Sequence, residues 1–544
     1  MAANTHSPAQ DAERSQRRTH WGVLLTAAML SACTYQVDST ADSVDANPGD
    51  DVCKDAQGRC TLRAAIMEAN AKPSAERIEL PAGTYRLTLP AAQGGGPLVI
   101  ENSVTLRGAS ASSTVIDAAA VSYDGGQGCP ASGPERRVLL INGGTVALSY
   151  LTLQGGLAQN GGGIYVDRGQ LEITDAVIRR NVAFTGGGGL LNRRGVVRVR
   201  RTSVVENCAV GAFGGGLNNQ SNGELWVYES LIARNHSNRA GGIRNDGQLN
   251  LRSTTVSGNY VDSPSAGTGG ISQNGFAVLN SVTVANNVGI GTDEGSFRGG
   301  GIQTSSGRIT VVKNTIIASN DGKGGPNDCV GQLTSDSRHN LIGDTQGCSL
   351  PALTTSYLLN VDPQLGALAF NGGPTQTHAL LKGSPARESA YAFPPPAADA
   401  CEAHDQRGVP RPQGKGRCDM GAFEADNANV FVTGFVLVDA DTDADLFPLR
   451  EGEFLNLADL PPRLSVRADV SGSVGSVVFA LDANEAFRTE NNAPYALGGD
   501  APLGNYTPVA IPSGIRTLRA TPFAGANGTG AAGGSLKVQF LVIN

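Results

Sequence analysis

The chain reads as an all-β protein: a right-handed parallel β-helix with an N-terminal capping helix, followed by a small immunoglobulin-like β-sandwich. Three observations carry that expectation. Six times between residues 161 and 302 a short glycine run precedes an aliphatic residue, at Ile164, Leu190, Leu217, Ile243, Ile271 and Ile302. In phase with it, a β-branched residue stands three places before an Asn: Ile178 and Asn181, Val204 and Asn207, Ile232 and Asn235, Val256 and Asn259, Val284 and Asn287, Ile317 and Asn320. After Glu424 this repeat gives way to alternating strand-like runs separated by turn clusters.

The aliphatic positions of the repeat are 26, 27, 26, 28 and 31 residues apart. A fixed period of that size marks a unit that cannot bury its own apolar face and must stack on its neighbours. Within each unit Leu171/Ile173, Val197/Val199, Leu225/Val227 and Leu249/Leu251 alternate with polar residues, the period of a strand. About three short strands per repeat, with no helical stretch between, is the arithmetic of a parallel β-helix. A propeller blade needs about 40 residues or more. Stacking at about 4.8 Å makes roughly ten coils a rod on the order of 50 Å long. Glycine or Asn at the strand ends is expected to supply the positive φ of the corners. The recurrent Asn residues are expected to stack as an internal ladder, each amide bonding the backbone of the next coil.

The chain has 544 residues, 72 of them glycine, with 5% aromatic content and a net charge of −7. This fits a secreted β-rich protein and leaves no basic domain for a nucleic acid. At the N-terminus, Arg14, Arg17 and Arg18 precede the apolar stretch Trp21 to Leu30, which is too short to span a bilayer as a mature helix. It ends in Leu30-Ser31-Ala32-Cys33, which resembles a bacterial lipobox. That resemblance implies removal of residues 1–32 and a lipid on Cys33. Thr34, by the same resemblance, implies the outer membrane or cell surface of a Gram-negative bacterium. No other segment is apolar enough to cross a bilayer, so the lipid is the expected membrane attachment.

Eight of the nine cysteines remain for an oxidising compartment. Cys53 with Cys60, Cys329 with Cys348 and Cys401 with Cys418 are close in sequence and read as local disulfides. Cys129 and Cys208 either pair with each other or leave Cys208 as a buried thiol. No Cys or His spacing points to a metal site, and nothing points to a cofactor.

Two segments resemble a known family. Asp51-Val-Cys53-Lys-Asp-Ala-Gln-Gly-Arg-Cys60-Thr-Leu-Arg63-Ala-Ala-Ile-Met-Glu68-Ala-Asn70 is similar to the CSLREA domain that opens many bacterial surface β-helix proteins. The motif here reads Cys-Thr-Leu-Arg-Ala-Ala, a minor variant. Leu62, Ala65, Ile66 and Ala69 fall on one helical face, suited to covering the open end of the first coil. Later, Asp362-Pro-Gln-Leu-Gly366, Asn371-Gly-Gly-Pro-Thr-Gln-Thr-His378, Asp405-Gln-Arg-Gly408 and Cys418-Asp-Met-Gly-Ala-Phe423 resemble the terminal segment of choice-of-anchor-Q type β-helix proteins. The glycine and Asn repeats are more loosely similar to polymorphic outer-membrane adhesins. The expected domains are thus a tether and cap at 33–76, a β-helix at 77–425 and a sandwich at 429–544. Ala493-Pro-Tyr495-Ala-Leu-Gly-Gly-Asp500 in the last resembles a segment of bacterial Ig-like modules. The family transfers no catalytic residues.

Aligning the repeats on their Asn positions gives two outward rows. One is Glu172, Arg198, Trp226, Asn250, Val278, Val311; the other is Thr174, Arg200, Tyr228, Arg252, Asn280, Lys313. Neither stacks two acids on adjacent coils, as a polysaccharide hydrolase or a Ca²⁺-dependent lyase would need. Asp167, Asp175, Glu206 and Glu229 fall in other phases. What the rows collect is Trp226 and Tyr228 among Arg198, Arg200 and Arg252. Aromatic faces stack on sugars and guanidinium forks bind carboxylates or sulfates, so this patch is the candidate contact site for an acidic glycan or other surface ligand. The expected function is binding or adhesion along an elongated face. A polysaccharide lyase or hydrolase is the alternative, and a passive envelope spacer a third. Asp439-Ala-Asp441-Thr-Asp443-Ala-Asp445 begins like a Ca²⁺ loop but lacks its Gly and its final Glu, and reads as an acidic interdomain turn.

Overall fold

A computed structural model describes residues 33–543, apart from 122, 124–127, 131–132, 212, 262–266, 291–298, 325–326, 352–355, 392–399, 412–415, 426–429 and 450–452. The segment read as a signal peptide, residues 1–32, lies outside the described residues. Four parallel sheets wrap around a continuous apolar core to make the β-helix. One coil shows the order. Ile164–Val166 lies in a ten-stranded glycine sheet, Gln170–Thr174 in a ten-stranded long-strand sheet and Val177–Arg179 in an eleven-stranded sheet. Asn181 then leads into Val182–Gly186 of a five-stranded sheet. Each strand pairs in register with its counterpart on the next coil. The alternating aliphatics Leu171, Ile173, Val197, Val199, Leu225 and Val227 point into the core and are at most 1% exposed.

The Asn ladder is continuous. Asn207 Oδ1 accepts from the backbone N–H and Nδ2 of Asn181 at 3.1 and 3.0 Å. Its own Nδ2 donates to Asn235 Oδ1 at 3.0 Å and to the Ile178 carbonyl at 2.9 Å. The pattern runs through Asn259, Asn287 and Asn320, and Asp328 closes it by accepting from Asn320 N and Nδ2. A second column was not foreseen: Asn192, Asn219, Asn245 and Gln273 bond one to the next at 2.6–2.9 Å beside the turns of the glycine sheet.

The corners match expectation only in part. The ladder Asn residues do not carry the positive φ; the residue before each one does, at Arg180, Glu206, Arg234, Gly258, Asn286 and Ser319 (φ 53–64°). Bonding each Asn amide inward fixes the corner, so even Arg and Glu are held in a left-handed conformation there. Glycine supplies the positive φ three places before the repeat aliphatic, at Gly161, Gly187 and Gly214, and the later glycines allow close approach: a Cβ on Gly188 would meet the Cys208 carbonyl oxygen.

Helix α1 (Leu62–Asn70) starts at the N-cap Thr61, whose hydroxyl accepts from Ala64 N. Its face of Leu62, Ala65, Ile66 and Ala69 is buried in the β-helix core. Arg63 is also buried and reaches Asp42 at 2.7 Å. The stretch read as a tether is part of the fold, because Thr34–Gln36 forms the outermost strand of the long-strand sheet against Glu76–Leu80.

At the far end the chain turns back. Leu365–Ala369 and Thr377–Leu380 form a hairpin, and the following segment lies along the outer side of the eleven-stranded sheet as a strap. Thr255 Oγ1 donates to Gln406 Oε1 (2.6 Å), Ser257 Oγ bonds His378 Nε2 (2.8 Å), and Ala422 N donates to Thr283 Oγ1 (2.9 Å). Strands Leu231–Ala233, Thr255–Ser257, Thr283–Ala285 and Ile316–Ala318 are therefore buried at every position. Within the strap, Arg411 and Glu424 form a buried ion pair at 2.8 Å, and Arg411 also donates to the Asp419 and Gly421 carbonyls.

The C-terminal unit has a four-stranded and a five-stranded sheet, paired antiparallel except where Phe454–Asn456 joins Leu536–Ile543, and fits an Ig-like sandwich. Phe435, Val466, Phe479, Leu518 and Phe540 fill its separate core. The Asp439–Asp445 motif is a hairpin turn inside this unit, between Phe431–Asp439 and Ala444–Leu449, and not an interdomain turn. Its acids are tied locally: Asp441 to Arg463 and Asp445 to Arg467.

Four disulfides are present: Cys53–Cys60, Cys329–Cys348, Cys401–Cys418 and Cys129–Cys208, with Cα separations of 5.0, 5.2, 6.5 and 5.7 Å. The last settles the alternative left open by the sequence.

Candidate functional site

Strands Val196–Arg200, Glu224–Tyr228 and Gln248–Arg252 lie side by side in the long-strand sheet. Alternation sends Val197, Leu225 and Leu249 inward and the residues between them outward. The registers Glu172↔Arg198↔Trp226↔Asn250 and Thr174↔Arg200↔Tyr228↔Arg252 are those read from the sequence. The five candidate residues therefore share one outer face on three consecutive coils.

Trp226 and Tyr228 are half-buried, and their rings stand nearly parallel, with centroids 6.2 Å apart and a 13° interplanar angle. Together they form a stacked aromatic pair on the outer face. Burial raises the Tyr228 pKa, an effect opposed by the neighbouring Arg252, Arg198 and Arg200 charges. The phenol therefore stays neutral.

The three arginines are not equivalent. Arg200 is paired with Glu229 (3.1 Å) at the corner of the same sheet. Arg252 reaches Glu402 of the strap (3.3 Å) and Asn250 Oδ1 (2.9 Å), and Glu402 also accepts from Asn280 Nδ2 (2.7 Å). Arg198 is exposed and forms no ion pair among the described residues, even with Glu172 on the preceding coil. One guanidinium fork is thus available beside the aromatic pair. The signal that separates Arg198 from Arg200 and Arg252 lies in Glu402, about 150 positions further along, and in a corner residue, which the aligned rows do not include.

A neighbouring feature was missed from sequence. The turns leading into these strands enclose a polar depression of about 400 Å³ lined by Arg193, Arg194, Gln220, Ser221, Asn222 and Asp246. Amides, a hydroxyl and guanidinium groups there extend the surface that could contact hydroxylated ligands. Arg193, Gln220 and Asp246 each stand three places after a repeat aliphatic, so the period brings them together on successive coils; the hollow between their turns is what the sequence does not show.

The carboxylates considered for catalysis are held by cations. Asp167 is bonded by Arg193 (2.7 Å) and Arg194, and Asp175 by Arg201 (2.7 Å). Glu206 lies between Arg180 and Arg234. Burial alone would raise the Asp167 pKa, but the hydrogen bonds from Arg193 and Arg194 outweigh it and hold the group below its ordinary value. Asp328 is the opposite case: burial lifts it to about 6. Its oxygens accept from Asn320 and from Asp344 N (2.6 Å), so this carboxyl terminates the ladder. Cys33 is exposed and immediately precedes the first strand.

No family model matches the chain, and neither the curated proteins nor the solved structures contain a match to it.

Proposed function

We propose that this chain is an exported surface protein, tethered by a lipid on Cys33 and related to the CSLREA and choice-of-anchor-Q type β-helix proteins. It binds an acidic glycan along the outer face of the long-strand sheet. One observation carries the reading: the Trp226–Tyr228 aromatic pair stands beside Arg198, a fork with no carboxylate partner among the described residues. A pyranose face stacks on the rings while its carboxylate or sulfate takes the fork bidentately. Binding is favoured over polysaccharide cleavage because Asp167, Asp175, Glu206 and Glu229 are each engaged by arginines instead of facing one another across a cleft. A hydrolase needs two such carboxylates free to handle protons.

An array of acidic and neutral glycans, probed with the wild type and Trp226→Ala, tests this. Retention on acidic glycans should fall roughly tenfold in the variant, as loss of about 1.4 kcal/mol requires, while mass spectrometry finds intact ligand. Unchanged retention removes the site, and reducing ends or unsaturated oligosaccharides would replace adhesion with catalysis. Metabolic labelling with a fatty acid, abolished by Cys33→Ser, checks the tether.

A further inference from the structure

We propose that reduction of the Cys129–Cys208 disulfide opens a metal site in which Cys129 Sγ, Cys208 Sγ and His236 Nδ1 bind one Zn²⁺ or similar soft cation. Cys208, His236 and Tyr260 occupy successive coils of the five-stranded sheet as direct register partners. They alternate with the ladder residues Asn207, Asn235 and Asn259, so they stand on the other side of their strands from the ladder. Cys129 belongs to the segment that follows the coil ending near Ala118, and the disulfide pins it over this column. His236 Nδ1 lies 3.5 Å from Cys129 Sγ and 3.5 Å from Cys208 Sγ. All three donor atoms fall within 4.8 Å of one another.

Those separations match a coordination sphere. With Zn–S near 2.3 Å and Zn–N near 2.0–2.1 Å, a tetrahedral angle places sulfur and nitrogen about 3.5 Å apart. Nitrogen is therefore already where a tetrahedral ion requires it relative to both sulfurs. Only the two sulfurs must part, to about 3.8 Å by the same geometry. Cys129, half-buried and outside any strand, is the one free to retreat. Tyr260 stacks on the imidazole at 4.2 Å with a 13° interplanar angle and holds the ring plane. Two thiolates and one imidazole suit a soft or borderline cation and leave a fourth position for water.

The redox step is balanced by an external dithiol. It passes two electrons and two protons to the Cys129–Cys208 bond, giving two thiols, and is itself oxidised to a cyclic disulfide. The incoming cation then displaces both thiol protons to solvent. The oxidised protein holds no such site, so the same three residues either staple the covering segment or hold metal. Sequence spacing conceals this, because Cys208 and His236 are 28 positions apart and become neighbours only through one turn of the coil.

The test is metal titration of the full chain, before and after reduction with dithiothreitol and anaerobic desalting, with Zn²⁺ counted by native mass spectrometry. Co²⁺ visible absorption reports tetrahedral thiolate ligation. Reduced wild type should take up one equivalent more than the oxidised protein and one more than reduced Cys129→Ser, which leaves strand Cys208–Ala209 intact. His236→Gln, folded and disulfide-bonded before reduction, should weaken that equivalent at least tenfold. Equal stoichiometry in reduced wild type and Cys129→Ser, or an affinity in His236→Gln within tenfold of wild type, overturns the proposal.

Discussion

Asn235 shows what a single residue contributes to this architecture. Its Oδ1 accepts from the N–H and Nδ2 of Asn207, and its Nδ2 donates to the Val204 carbonyl and to Asn259 Oδ1. Asn235→Ala strands several buried groups of two neighbouring coils at once. It should cost about 2–4 kcal/mol, since each orphaned buried group costs about 1–3 kcal/mol, as read by denaturant unfolding. Asp328 carries a pH signature at the ladder's end. Burial lifts its pKa from 3.8 to about 6, so between those values the folded state binds more proton than the unfolded chain. Stability from this group is present below about pH 4 and lost as pH rises through about 6. The unfolding midpoint should therefore fall across that window in wild type and flatten in Asp328→Asn. The main ladder was legible because its Asn recurs in phase with the glycines. The Asn192–Gln273 column was not: it keeps the same period, each member ending a glycine-sheet strand, but it spans fewer repeats, with Val166 and Thr304 at the flanking positions and a glutamine as its last member.

At the scale of elements, the strap decides which faces remain open. It was recognised as a distinct segment, but its path was hidden: contacts such as Thr255–Gln406 join positions 151 residues apart with no shared period. Only the double-sided burial of Thr255–Ser257 and its neighbours reveals that the part of this sheet under the strap is covered. The Arg411–Glu424 pair anchors the strap with both side chains inaccessible. Arg411→Met should leave Glu424 buried without its cation and destabilise by about 3–5 kcal/mol. Hydrogen exchange should then accelerate in the strap and at Thr283–Ala285, while the sandwich keeps its wild-type protection. Helix α1 was readable from its apolar spacing alone. Strand Thr34–Gln36 was not, being three residues next to the stretch read as a signal peptide, with no repeat around them.

For the whole molecule, a register-locked stack turns distant residues into continuous surface columns. Arg198, Trp226 and Asn250 were aligned correctly from sequence because each coil repeats the same inward pattern. What alignment could not supply was the occupancy of each arginine, which depends on Glu229 at a corner and Glu402 in the strap. That asymmetry gives the most direct test of the binding face. Affinity of the full chain for an acidic oligosaccharide should be measured by titration calorimetry for wild type, Arg198→Ala and Arg200→Ala at low and physiological salt. Arg198→Ala should weaken binding roughly tenfold and reduce its salt dependence, whereas Arg200→Ala stays within about threefold. Equal losses in both variants, or none in Arg198→Ala, would contradict the account.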